Sequence, residues 1–178
     1  MTSLVVVAAV LGATACSRIA GGTEQARAVI DETHAYLRAD QHVSDAVASI
    51  GMDVRLDPDY RNSVPMKGLS SAESGRVNVE VRYSLELPPV EGDVFERNRG
   101  VFQRLKDWWR GQGYQVVRHD ASEPFTVLVV EDRRDGFTVV LKQGKVGNLW
   151  LTAGSPWVTA TGVKPPEPPG CRTARAPE

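Results

Sequence analysis

The sequence predicts an α+β fold: an antiparallel or mixed sheet of about five strands with two helices packed on one face. Three observations carry this expectation. Val77, Val79, Val81, Tyr83, Leu85 and Leu87 alternate with Asn78, Glu80, Arg82, Ser84 and Glu86, and a period of two marks a strand with one buried and one wet face. A sheet covered on both faces would not alternate so cleanly. The order of elements, helix, strand, helix and then a run of strands joined by short turns, puts the helices on one side of the sheet.

Residues 23–50 read as the first helix. Thr23 is the expected N-cap, with Glu24 and Gln25 in the first turn. Ala26, Val29, Ile30, Tyr36, Leu37, Val43, Val47 and Ile50 form one stripe at three- and four-residue steps. Gly51 is the stop, and Asp40-Gln41 is a candidate break into two shorter helices. Residues 52–75 are expected to be irregular, because Pro58, Pro65, Gly68 and Gly75 punctuate them, with room for one short strand at Met52–Leu56.

The alternating strand at 77–87 ends at Pro88-Pro89. The second helix, 93–110, opens with Asp93 and Glu96 at capping-box spacing. Its apolar face is Val94, Phe95, Val101, Phe102, Leu105, Trp108 and Trp109, and Gly111 and Gly113 close it. Strands follow at 114–118, 125–131, 137–142 and 146–152, with a short edge piece at 157–161. Asp132 to Gly136 is read as a hairpin turn in which Asp-Gly supplies the positive φ. From Lys164 the proline-rich tail should be extended.

The chain has 178 residues, a net charge of −1 and 42% hydrophobic residues. That size fits one domain, and near-neutral charge offers no basic footprint for nucleic acid. Two cysteines exclude a disulfide-dense scaffold and an all-cysteine zinc site.

The first sixteen residues carry no charged side chain, and the apolar run from Leu4 to Leu11 continues through small residues to Ala15. This is too short to span a bilayer, which takes about 20 residues. It fits the apolar region of a signal peptide, with Ala13-Thr14-Ala15 as the cleavage site. Ala15-Cys16 resembles the processing box of bacterial lipoprotein precursors, in which a small residue precedes an obligatory Cys; Ala13 stands where that family usually has Leu. The resemblance covers the leader alone. It implies lipidation of Cys16 through a thioether to diacylglycerol, cleavage before Cys16, and a lipid-anchored protein on the outer face of the cytoplasmic membrane. An ordinary secretory leader, giving a soluble secreted protein, is the alternative.

The division expected is therefore signal peptide 1–15, tether 16–22, a single α+β domain 23–163 and tail 164–178. Cys171 is left unpaired if Cys16 is lipidated, and is free to pair with Cys16 otherwise.

No spacing of residues carries a catalytic motif, and no catalytic residue, metal or cofactor is assigned. His34 and His42, eight residues apart, read as solvated helix histidines. His119, Asp120 and Ser122 form a triad in composition only. Asp57, Asp59 and Asn62 lack the glycine and distal Glu of a calcium loop. Glu131, Asp132 and Asp135 are interleaved with Arg133 and Arg134, as in a solvated turn.

The candidate binding residues are Trp108, Trp109, Trp150 and Trp157. Neighbouring helix residues point about 100° apart, so one of Trp108 and Trp109 should pack on the sheet and the other reach its rim. Trp157, beside Ser155-Pro156, is the expected exposed aromatic. These features point to a membrane-anchored module that binds a protein or apolar ligand, with no nucleic acid involved. A secreted hydrolase-like enzyme built around His119, and an inhibitor or immunity-type partner protein, are the alternatives.

Overall fold

The computed structural model describes residues 30–66 and 75–169. The leader, Cys16, the tether, Thr23 and Cys171 lie outside the described residues. The fold is α+β, as the sequence predicts. Helix α1 (Glu32–Ser49) is followed by β1 (Arg55–Pro65), β2 (Arg76–Glu86), α2 (Val94–Gly111), β3 (Tyr114–Asp120), β4 (Val127–Asp132), β5 (Thr138–Gln143), β6 (Leu149–Gly154) and β7 (Val158–Thr159). The strands form one sheet in the order β1-β2-β6-β5-β4-β3, with β7 pairing the start of β2, so the described residues hold seven strands rather than about five. Every ladder is antiparallel.

The additional long strand is β1, in the segment expected to be irregular. Pro58 and Pro65 are tolerated because β1 is the outermost strand, where a missing N–H costs no ladder bond on the free side. A register shift between Pro58 and Tyr60 leaves Asp59 as the extra residue. Prolines and a bulge also blunt this edge against pairing with another chain.

Helix α1 runs unbroken through Asp40-Gln41, because both polar side chains find partners: Asp40 turns inward against β1, and Gln41 reaches Asp45 one turn on. Asp31 caps α1, its carboxylate accepting from the His34 N–H at 2.9 Å. Asp93 caps α2, accepting from the Phe95 N–H at 2.8 Å. The turn after β4 closes as expected, with Gly136 at φ 78°.

Helix α1 lies on β2 and β6, α2 lies on β3 and β4, and the helices touch each other. The core between them and the sheet holds Tyr36, Val43, Ile50, Phe102, Leu105 and Trp109 from the helices, and Val79, Val81, Leu128, Val139, Leu141 and Leu151 from the strands. The inward residues of β2, β4, β5 and β6 are buried, and those alternating with them are half-buried or exposed. Among the described residues no helix packs on the opposite face of the sheet. No helix among the described residues is long and apolar enough to cross a membrane.

The two chain ends of the described domain meet. Asp31 bridges Thr159. The buried Glu32 carboxylate accepts from the Thr161 N–H at 2.9 Å and the Gly162 N–H at 3.1 Å.

Candidate functional site

Two polar clusters lie under α1. In the first, Asp40 is bound in bidentate fashion by Arg61 from β1, both Nη–O distances being 2.8 Å, and also accepts from the Tyr83 hydroxyl at 2.6 Å. The Asp40 and Arg61 side chains are 6% and 10% exposed, so the pair gains from a low dielectric and from near-complete hydrogen bonding. Burial, and then the hydrogen bond to Asp40 and its charge, push the Tyr83 phenol well above its ordinary range, so the hydroxyl stays a donor.

In the second cluster, His42 is buried between the Tyr114 hydroxyl, 2.6 Å from Nδ1, and Asp135, 3.1 Å from Nε2. Asp135 also accepts from Arg38 Nε at 2.7 Å and from the Phe137 N–H. Burial alone would raise the Asp135 carboxyl, but the hydrogen bonds from His42, Arg38 and the Phe137 N–H outweigh it and hold it far below the usual range. Burial, then the neighbouring Asp132 charge, push Tyr114 up to about 12. The fully buried Asp132 is gripped by Arg134, with Nη2 at 2.7 Å.

His42, Asp132 and Asp135 thus offer three ligand atoms within 4.8 Å of one another. Both carboxylates already accept from guanidinium groups, and both His42 nitrogens already have partners. The donor set is that of a self-satisfied internal network, and it does not fit a cation, which would have to displace Arg38 and Arg134.

This corrects two sequence expectations. His42 is no solvated helix histidine, because it falls on the apolar stripe between Ala39 and Val43. Asp132 and Asp135 are not a solvated turn, because the hairpin folds under α1, which buries Asp132 fully and Asp135 in part. His34 is solvated, as expected.

The residues of the hydrolase alternative do not assemble. His119 faces the helices, with Lys106 Nζ 3.1 Å from its Nδ1, and pairs across to the buried Leu128. Asp120 pairs with Val127, faces the other way, and accepts from the Ser122 N–H and Arg118. Burial, then Lys106 and Arg110, lower the His119 pKa.

The four tryptophans occupy three separate places. Trp109 is fully buried and Trp108 is half-buried at the rim, with their rings 6.4 Å apart and each against Tyr114, as the helical spacing predicts. Trp157 is 40% exposed beyond β6. Trp150 lies on the helix-free face.

That face presents a regular cross-strand array of side chains. Cross-strand register sets Tyr60, Arg82, Thr152, Val140, Val129 and Arg118 in one row, and Ser84, Trp150, Lys142 and Val127 in the next. Arg82, Val140, Lys142, Trp150 and Thr152 line a shallow depression of about 130 Å³. The Trp150 ring is seated against the β5–β6 turn: a Cβ on Gly144 would come within 2.8 Å of its six-membered ring and 2.5 Å of Asn148 Oδ1. Arg82 stacks over Tyr60 at 4.5 Å and meets Asp59 only at 3.4 Å. Among the described residues no carboxylate lies within ion-pair distance of Lys142. Sequence reasoning singled out Trp150 but missed Arg82 and Lys142; the outward phase of the alternating strand, which holds Arg82, was the available signal.

No family model, curated protein or solved structure matches this chain.

Proposed function

We propose that this protein is a lipid-anchored, extracytoplasmic binding module whose working surface is the helix-free face of its sheet. One contrast between the two faces carries the reading. The titratable groups beneath α1 are consumed by one another, Asp40 by Arg61, Asp135 by His42 and Arg38, Asp132 by Arg134. On the open face a half-buried tryptophan, Val140, Thr152 and two cations line a depression, with the half-buried Val127 and Val129 beyond it. Aromatic and arginine side chains on a rigid scaffold are what binding surfaces are made of. The anchor rests on Ala15-Cys16 and the apolar leader; two acyl chains would hold the protein firmly, whereas one binds only marginally.

Two measurements test this. Mass spectrometry of the mature N-terminus in the producing bacterium, with detergent partitioning of wild type and Cys16→Ser, should find acylated Cys16 and loss of partitioning in the variant. An unmodified Cys16 removes the anchor. A photo-reactive side chain at Lys142 should give adducts in cells, and the same group at Ser44, exposed on α1, should give none. Equal labelling from both positions removes the sheet face as the working surface.

A further inference from the structure

We infer that the depression on the open face accepts an acidic side chain of a protein partner, clamped between Arg82 and Lys142 over the Trp150 ring. This deepens the reading of the face as a binding surface and rests on it. Size is the first argument. Small-molecule pockets run to about 300–1,000 Å³, and a dry cavity of roughly 150 Å³ holds one benzene ring. A depression of about 130 Å³ therefore fits one inserted side chain and not a whole cofactor or metabolite.

Charge is the second argument. The lining contains two cations and no carboxylate. Arg82 has one ion-pair contact, a long one to Asp59 at 3.4 Å, beside its contacts to Tyr60, with 38% of its side chain exposed, and Lys142 has no ion pair among the described residues. Geometry is the third. Arg82 pairs with Thr152, and Lys142 with Trp150, across the same central strand β6. The two cations thus stand two strands and two residues apart, about 12 Å at the backbone, on either side of Thr152 and Trp150, and an arriving carboxylate draws Arg82 off Tyr60 toward Lys142. The indole lies close against Gly144 before anything binds. Val129 and Val127 extend the surface beyond the clamp, so the partner segment carries apolar residues beside its acid. Whole-protein charge is −1, so attraction is local to this spot and should weaken with salt.

The test uses the full chain in mild detergent and follows the Trp150 indole N–H by NMR, assigned with Trp150→Phe. The probes are a blocked hexaglutamate peptide, its hexaglutamine counterpart and inorganic phosphate. Hexaglutamate should shift the Trp150 signal saturably at low salt, and hexaglutamine should not. Arg82→Gln with Lys142→Gln should raise the Kd at least tenfold with the remaining spectrum unchanged. Lys142→Gln alone, at an exposed position, should give a smaller rise and guards against a misfolded double variant. Equal binding by hexaglutamine, equal binding by the variants, or phosphate binding as tightly as the peptide overturns the inference. Adducts from position 142 without a hexaglutamate shift overturn the acidic-side-chain assignment alone; absence of both overturns the binding face as well.

Discussion

Arg61 and Arg82 belong to the same β-hairpin, paired with Val81 and Tyr60 at adjacent steps of one ladder, and meet opposite environments. Arg61 points under α1, where Asp40 takes both its Nη groups at 2.8 Å and Tyr83 completes the cluster. Arg82 points to the helix-free face, lies flat on Tyr60 and touches Asp59 at 3.4 Å. The same side chain is a structural pin in one direction and an available cation in the other. The difference comes from the pleat alone, because neighbouring residues of a strand face opposite ways. A sheet with one covered face can therefore keep its charges for stability on one side and for recognition on the other.

Breaking the covered side should cost most. Asp40→Ala strands the Arg61 guanidinium in a nearly dry site, and destabilisation of about 3–5 kcal/mol is expected by chemical denaturation. A loss below about 1 kcal/mol would mean that water reaches Arg61 and that the two faces differ little.

Asp135→Asn should cost less, about 2–3 kcal/mol at neutral pH, since His42, Arg38 and the Phe137 N–H keep an acceptor but lose the charge. The sign with pH follows from the depressed carboxyl. Its stabilisation is complete above about pH 4, the ordinary carboxylate value, and is lost as acid approaches the lower folded-state value. Urea midpoints of wild type should fall more steeply than those of the variant between about pH 4 and pH 2. Parallel curves would remove Asp135 from the acid response.

Gly144→Ala probes the open side. Its Cβ would meet the Trp150 ring at 2.8 Å, and overpacking of about 1–2 kcal/mol is expected, together with a changed Trp150 fluorescence. An unchanged emission spectrum would show that the ring is not seated on the turn. Arg82→Ala should cost less than about 0.5 kcal/mol, as partly exposed ion pairs contribute little. A large loss of stability there would make Arg82 a pin like Arg61 and close the gap between the two faces.

The parts legible in the sequence are those where one local pattern decides the outcome. The alternation from Val77 to Leu85 decided β2, Asp93 decided the start of α2, and Asp135-Gly136 decided the hairpin turn. β1 was not legible, because its prolines argue against a strand unless the strand is known to be an edge, and edge position is a property of the whole sheet. The burial of His42 is set by its place beside Val43 on the apolar stripe, which its eight-residue spacing from the solvated His34 does not reveal. Asp132 and Asp135 depended on which way the hairpin folds, which no local pattern carries. On the open face Trp150 stood out by type. Arg82 and Lys142 became visible only when the β2-β6-β5 order placed them around it.

The clasp of Glu32 on Thr161 and Gly162 has an architectural consequence. Because the polypeptide enters and leaves the folded body at one pole, a load applied between its ends is borne first by this single carboxylate and the two-residue strand beside it, and the broad sheet behind them is spared.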